Sequence, residues 1–259
     1  MINIKDVANK PHAIIFYSNG LFDINTYIKD YIKSIVNEDK KIDNLQYLDL
    51  LWYDNTVKKI TKDDISYIIN NFNLSSKEKS GKKIYVIKNI DKCNTQVCNS
   101  LLKYIEEPQN DVYAIFTCSN IKNVLQTIVS RCQTILIKTN ENSLKKIKES
   151  LNIDDNQWEV IKVIYHDLDD LTSDIENETL KNSWNFSNSV LSVKETNIKK
   201  YKILSDDFKK KSWNEILLIL KILLIKNKNE ELSELIDMLK LNPIKVLLFD
   251  KIVQVVNSN

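Results

Sequence analysis

The sequence predicts a doubly wound α/β domain in its first half and an all-helical region in its second. Three observations predict this: five short continuous apolar runs, segments of helical periodicity between them, and the loss of such runs after Asn140. Apolar runs that do not alternate with polar residues suit a parallel sheet covered by helices on both faces.

Residues 13–16, 47–52, 84–87, 113–117 and 134–137 read as the five strands. Thr61 to Asp64 resembles a capping box, with Asp in place of the usual Glu, and Ile65, Ile68, Ile69 and Phe72 follow on one helical face. A further helix starts near Thr95 and carries Val97, Leu101, Tyr104 and Ile105 on one stripe. Pro108 ends it, because proline has no amide hydrogen and clashes with the preceding turn. Residues 143–151, 156–166, 212–226, 230–241 and 244–256 read as helices. The expected organisation is an α/β domain at 1–139, a small helical domain at 140–180 and a helical C-terminal domain at 181–259, with a softer break in the polar stretch 177–188. No internal repeat is visible.

The 259 residues are 43% hydrophobic and 28% charged, ordinary for a globular protein. A net charge of +2 gives no compositional argument for nucleic-acid binding. The lysine clusters (Lys77, Lys79, Lys82, Lys83; Lys199, Lys200; Lys209 to Lys211) read as solvated faces. Met1 to Asp6 has no apolar stretch behind a basic one, and the apolar run 216–225 is interrupted by Lys221 and too short for a bilayer. The expectation is a soluble cytoplasmic protein with no membrane partner. The cysteines at 93, 98, 118 and 132 lack the two tight pairs of a structural zinc site. They are expected to be small buried hydrophobes in a reducing compartment, with no metal.

A doubly wound domain invites a search for a phosphate loop after its first strand, where glycines, a lysine and Ser/Thr would be needed. Tyr17-Ser18-Asn19-Gly20-Leu21-Phe22-Asp23-Ile24-Asn25-Thr26 holds one glycine and no lysine. The whole chain has only Gly20 and Gly81. Asp23, near the expected helix N-terminus, would cap the helix and repel a phosphate. Lys88 and Asn89 follow the third strand, where acidic residues would hold magnesium. No cofactor is expected.

Arg131 is the sole arginine among 37 Lys and Arg residues. Guanidinium is a planar five-donor fork matched to carboxylate or phosphate, whereas lysine is a point charge. Residue type alone leaves an anion-gripping role equally open with drift or a buried structural ion pair.

Asn99-Ser100-Leu101-Leu102-Lys103-Tyr104-Ile105-Glu106-Glu107-Pro108 resembles the Asn-x-Leu-Leu-Lys-x-Leu-Glu-Glu-Pro helix end of bacterial clamp-loader subunits of the AAA+ fold. Ser130-Arg131-Cys132 resembles their Ser-Arg-Cys motif, and Pro11 to Phe16 is similar to their first strand. The resemblance covers roughly residues 11–139 and is architectural beyond. Ile24 and Asn25 stand where that family's P-loop lysine and Ser/Thr would fall, and Lys88 and Asn89 where its Asp-Glu pair would. These departures from the motor subunit, tau/gamma, are similar to the delta-prime family. The four-cysteine zinc module found between strands one and two in many relatives is missing, since the first cysteine is Cys93.

The resemblance implies a subunit with no working ATP site and no ATPase activity of its own. It implies that Arg131 acts in trans as an arginine finger on ATP held by a neighbouring tau/gamma subunit. Ser130 and Cys132 would position it, with Thr127 in the same motif. Glu106, Glu107 and Pro108 would form a helix end making structural or interface ion pairs. Thr117, Cys118 and Ser119 would be a plain strand end. The helical C-terminal region would form an oligomerising collar. The implied partners are tau/gamma and delta, with the sliding clamp and primed DNA met through the complex. An ATPase subunit with residual ATP binding is the alternative, and an independent DNA-binding module is a third.

Overall fold

Five parallel strands form one sheet in the order β2-β3-β4-β1-β5 in a computed structural model that describes residues 10–18, 20–55, 58–139, 141–193 and 197–258. The strands are β1 (Ala13–Ser18), β2 (Leu50–Asp54), β3 (Lys83–Lys88), β4 (Val112–Cys118) and β5 (Gln133–Ile137). Ile15 of β1 lies opposite Phe116 of β4 on one side and Thr134 of β5 on the other. The order of strands reverses beside β1, so the carboxyl ends of β1 and β4 flank the crevice where such sheets bind ligands.

Strand residues point alternately to the two faces. On one face Ile14, Phe16, Val86 and Ile115 meet Ile28, Tyr31 and Ile32 of α1 (Ile24–Val36), with Ile42 of α2 (Asp39–Asp43) in the same core. On the other, Ile15, Ile87 and Phe116 share a core with α3 (Lys62–Phe72), α4 (Thr95–Glu106) and α5 (Gln126–Val129). The capping box forms as expected: Thr61 accepts from the Asp64 amide, and Asp64 accepts from Thr61 N at 2.9 Å. Val97, Leu101 and Ile105 are buried along α4, which stops before Pro108.

The second strand starts later than its apolar residues suggest. Tyr47 is buried but held ahead of β2 through its hydroxyl, which bonds Ser80 and donates to Lys82 O at 2.8 Å. Lys83 corrects the reading of its cluster as a solvated face. Its side chain is buried, and Nζ donates to the carbonyls of Phe72, at 2.8 Å, and Leu74, neutralising the carboxyl end of α3.

The chain divides into two compact units, one ending at Ile147 and one beginning at Lys148. The division falls within α6 (Glu141–Leu151), a few residues past the change from strands to helices; residue 140 itself lies outside the described residues, as do Met1 to Asp6. The second unit holds α7 (Asp155–Ile164), α8 (Leu168–Glu176), α9 (Thr179–Leu191), α10 (Ile198–Lys210), α11 (Trp213–Asn227), α12 (Glu231–Met238) and α13 (Lys245–Asn257). The polar stretch 177–188, read as a softer break, is largely α9, which also contains the expected 180/181 boundary. Leu180, Ser183, Phe186, Ser187 and Val190 are buried at helical spacing, so two small serines disguise the inward face. The helix α11 runs through the core of this unit, with Ile216, Ile219, Leu220 and Leu223 buried. Among the described residues no helix is long and apolar enough to cross a membrane.

A long-range polar clamp holds the loop before β3. Glu78 accepts from Leu48 N at 2.9 Å and from Lys41 Nζ at 2.6 Å. The Leu48 amide first, then the Lys41 ammonium, hold its carboxyl below the usual glutamate range. The unfolded glutamate titrates near about 4.3, so this stabilisation is complete above that pH and fades as pH falls through the lower folded pKa. Glu78→Gln is expected to cost about 1–3 kcal/mol at neutral pH and to make stability less dependent on acid. Urea unfolding followed across the acid limb measures both effects, and an unchanged acid dependence contradicts the assignment.

Candidate functional site

The loop from β1 to α1 faces the crevice, and its residues close it to phosphate. Asp23 caps α1, its carboxylate accepting from Thr26 N at 3.0 Å. A negative side chain therefore occupies the amide position that a phosphate would use. Leu21 and Ile24 are buried, so the position expected for a phosphate-binding lysine contributes to the core. Gly20 allows close packing rather than an anion cradle, because a Cβ there would lie 3.3 Å from Thr139 Oγ1. Asn19 lies outside the described residues.

At the ends of β2, β3 and β4 a polar network takes the place of a magnesium site. Asp54 of β2 stands in register with Lys88 of β3, and their side chains pair at 3.3 Å. Lys88 is only 1% exposed, so its charge needs a partner. Asn89 adopts the left-handed region (φ 55°, ψ 51°), which asparagine tolerates better than most residues. Its amide donates to Thr117 Oγ1 at 3.0 Å, and its Nδ2 lies 3.4 Å from Asp54 Oδ1. Thr117 is thus more than the plain strand end expected of it. Burial pushes the nearby Asp91 carboxyl up. An ammonium at the end of β3 and a carboxylate on the α1 N-terminus do not fit a magnesium–nucleotide group.

The second half of the candidate site lies where α4 ends and α5 turns into β5. After α5, Arg131 N donates to Ile128 O at 3.0 Å and Cys132 N to Val129 O at 3.4 Å, giving a tight turn. Arg131 donates through Nε to Glu106 Oε1 at 2.5 Å, and Nη2 pairs with the same oxygen. Its Nη1 donates to Thr127 O at 2.8 Å, with Ser130 Oγ at 3.4 Å. Ser130 Oγ also donates to Thr127 O, at 3.1 Å. The Arg131 side chain remains 34% exposed and that of Glu106 45%. This is an open ion pair on a hydrogen-bonded turn.

The structure therefore joins Glu106, Thr127, Ser130 and Arg131. Glu107 is the exposed C-cap of α4, its amide donating to Lys103 O at 3.0 Å, and Pro108 is exposed beyond it. Cys132 packs into the core with Cys93, Cys98 and Cys118. Burial pushes the Cys118 and Cys132 thiols up to about 12, which suits packing and not nucleophilic chemistry. All four cysteines are free, and among the described residues no group of three or more His, Cys, Asp or Glu could hold a metal ion. Sequence reasoning missed two members. His12 Nε2 lies 2.9 Å from Ile105 O, linking the residue before β1 to the last turn of α4. Asp54 is the other; an acidic residue ending an apolar strand beside a lysine-ended neighbour was the available signal.

Residues 4–141, more than half of the chain, match the family described as "DNA polymerase III, delta subunit". The chain is 34% identical over 96 residues to the DNA polymerase III subunit delta' of Bacillus subtilis, covering 37% of this chain and 29% of that protein. It is 29% identical over 175 residues to the DNA polymerase III subunit gamma of Buchnera aphidicola, covering 62% of this chain and 47% of that one. The matches span less than half the length of these curated relatives. A DNA polymerase III gamma-subunit-related protein from Thermotoga maritima shares the fold, with a TM-score of 0.63 at 16% identity over 98% of this chain and 97% of that one. The parallel sheet with helices on both faces, followed by a helical region, is of the AAA+ type. The chain belongs to the DNA polymerase III, delta subunit family.

Proposed function

We propose that this chain is a non-hydrolysing delta-prime subunit that helps load the sliding clamp onto primed DNA and lends Arg131 to ATP bound on a neighbouring tau/gamma subunit. The observation that carries the reading is the sole arginine, one-third exposed on a hydrogen-bonded turn, in a chain whose own crevice is closed by Asp23 and Lys88. A guanidinium reaching a partner's γ-phosphate would stabilise the charge that develops during phosphoryl transfer. Ser130 helps hold the Thr127 carbonyl, and Cys132 anchors the turn in the core. In the second unit, Leu241, Ile244 and Leu247 leave apolar side chains exposed near the start of α13. They support a collar role, in which a neighbouring subunit would cover them. Tau/gamma and delta are the proposed partners, with the sliding clamp and primed DNA engaged through the complex.

In a complex reconstituted with tau/gamma and delta, Arg131→Ala is expected to assemble normally and to lower primer-stimulated ATP turnover by about ten-fold or more. The ceiling set by single arginine fingers elsewhere is about 10³–10⁵. Arg131→Lys is expected to be impaired as well, because the planar fork that fixes the direction of its donors is lost. Full turnover by the lysine variant would falsify the geometric argument.

The isolated chain is expected to show neither ATP hydrolysis nor saturable binding of a fluorescent ATP analogue. Tight binding would instead favour a degenerate ATPase and overturn the reading of the crevice. Salt-sensitive DNA binding by the isolated chain would point to a separate DNA-binding role.

A further inference from the structure

Glu106 and Arg131 are 25 residues apart, and each sits on backbone fixed from both sides. Glu106 is the last residue of α4; Ile105 before it is 1% exposed, and the Ile105 carbonyl is bonded by His12. Arg131 follows α5 and precedes Cys132, which packs in the core. A long arginine side chain carries much rotamer entropy, which would blunt a contact that must be made across a subunit boundary. Here most of that freedom is already removed. Glu106 Oε1 takes both Nε and Nη2, and the Thr127 carbonyl takes Nη1. Of the five hydrogens of a planar guanidinium this leaves two, one on Nη1 beside Ser130 Oγ at 3.4 Å and the Nη2 hydrogen that faces away from Glu106, on the edge that can meet an incoming anion.

Two effects of Glu106 oppose each other. Its charge offsets that of Arg131 and weakens attraction to phosphate, while its oxygen fixes the direction of the fork. Both side chains are more than one-third exposed, so water and salt screen the Coulomb effect strongly. Orientation is not screened. Misplacing a reacting group by about 1 Å can cost about 100-fold in rate.

We propose that Glu106 is the positioning residue for Arg131, holding one edge of the guanidinium so that the other is aimed at the partner's phosphate. This rests on the reading of Arg131 as a trans-acting group. The same weak surface pairing means that Glu106 contributes little to stability, so its variants are expected to fold.

The test uses the reconstituted complex with primed DNA, comparing Glu106→Ala and Glu106→Gln, with Glu106→Ala also made in an Arg131→Ala background. Glu106→Ala is expected to lower kcat by about ten-fold and leave KM for ATP within about two-fold, because orientation and not ground-state binding is lost. Glu106→Gln, whose amide oxygen can still accept from the fork, is expected to recover most of that loss. Combined with Arg131→Ala, the glutamate substitution is expected to have no further effect. Three results overturn the proposal: wild-type turnover in Glu106→Ala while Arg131→Ala is impaired, equal losses from Glu106→Ala in both backgrounds, or faster turnover once the carboxylate is gone. If Arg131→Ala itself is fully active, the arginine reading fails and the role of Glu106 falls with it.

Discussion

A parallel sheet buries both faces, and β1 has to lie in its interior between β4 and β5. Everything in the first unit follows from that constraint. Ala13, Ile14, Ile15 and Phe16 are each at most 1% exposed, because neighbours alternate above and below the strand. Parallel strands cannot be joined by tight hairpins, so the chain returns through helices, and those helices provide the two covers. The reversal of strand order beside β1 then creates a crevice, whether or not a ligand is wanted there.

What fills the crevice explains the division of chemistry in this chain. An open helix N-terminus and a row of strand ends leave amides and carbonyls that need partners. Asp23 supplies one from within the chain, and Asp54, Asn89 and Thr117 supply others around Lys88. These contacts satisfy the same backbone and charge requirements that a bound phosphate and metal would otherwise meet. They tie the ends of β2, β3 and β4 together and cap α1.

Much of the fold was legible because continuous apolar runs, capping residues and a terminal proline act locally. The capping box at Thr61 and Asp64 and the end of α4 before Pro108 needed only neighbouring residues. The misreadings came from side chains whose use is set by distant partners. Tyr47 looks like a strand residue, but its hydroxyl is drawn to Ser80 and Lys82. Lys83 looks solvated until the carbonyl end of α3 arrives beside it. The stretch 177–188, read as a softer break, looks polar because the inward face of α9 uses Ser183 and Ser187, with Ser187 Oγ satisfied by Ser183 O at 2.8 Å. At the site, the loss of phosphate-loop residues was legible, whereas the pairing of Asp54 with Lys88 depends on strand register. No local periodicity connects Glu106 to Arg131; the two motifs could be joined only by folding.

That junction also bears on why one position kept arginine in a chain that otherwise uses lysine for positive charge. Elsewhere lysines serve acceptors that need no fixed plane: Lys83 faces two carbonyls at a helix end, and Lys41 bridges Glu38 and Glu78. A compact ammonium serves these well because its three hydrogens turn freely toward acceptors on one side. At position 131 the acceptors lie along two edges of a plane, with Glu106 on the Nε/Nη2 edge and the Thr127 carbonyl on Nη1. An ammonium pulled toward Glu106 would still have free hydrogens, but no rigid plane to fix where they point. Guanidinium separates the two tasks, because the atoms that anchor it differ from those that remain available. An exposed ion pair worth at most about 1 kcal/mol is a weak reason for stability to retain a single arginine. A fork that can be held and still present a donor is a stronger one, and it accords with the trans-acting role proposed for Arg131.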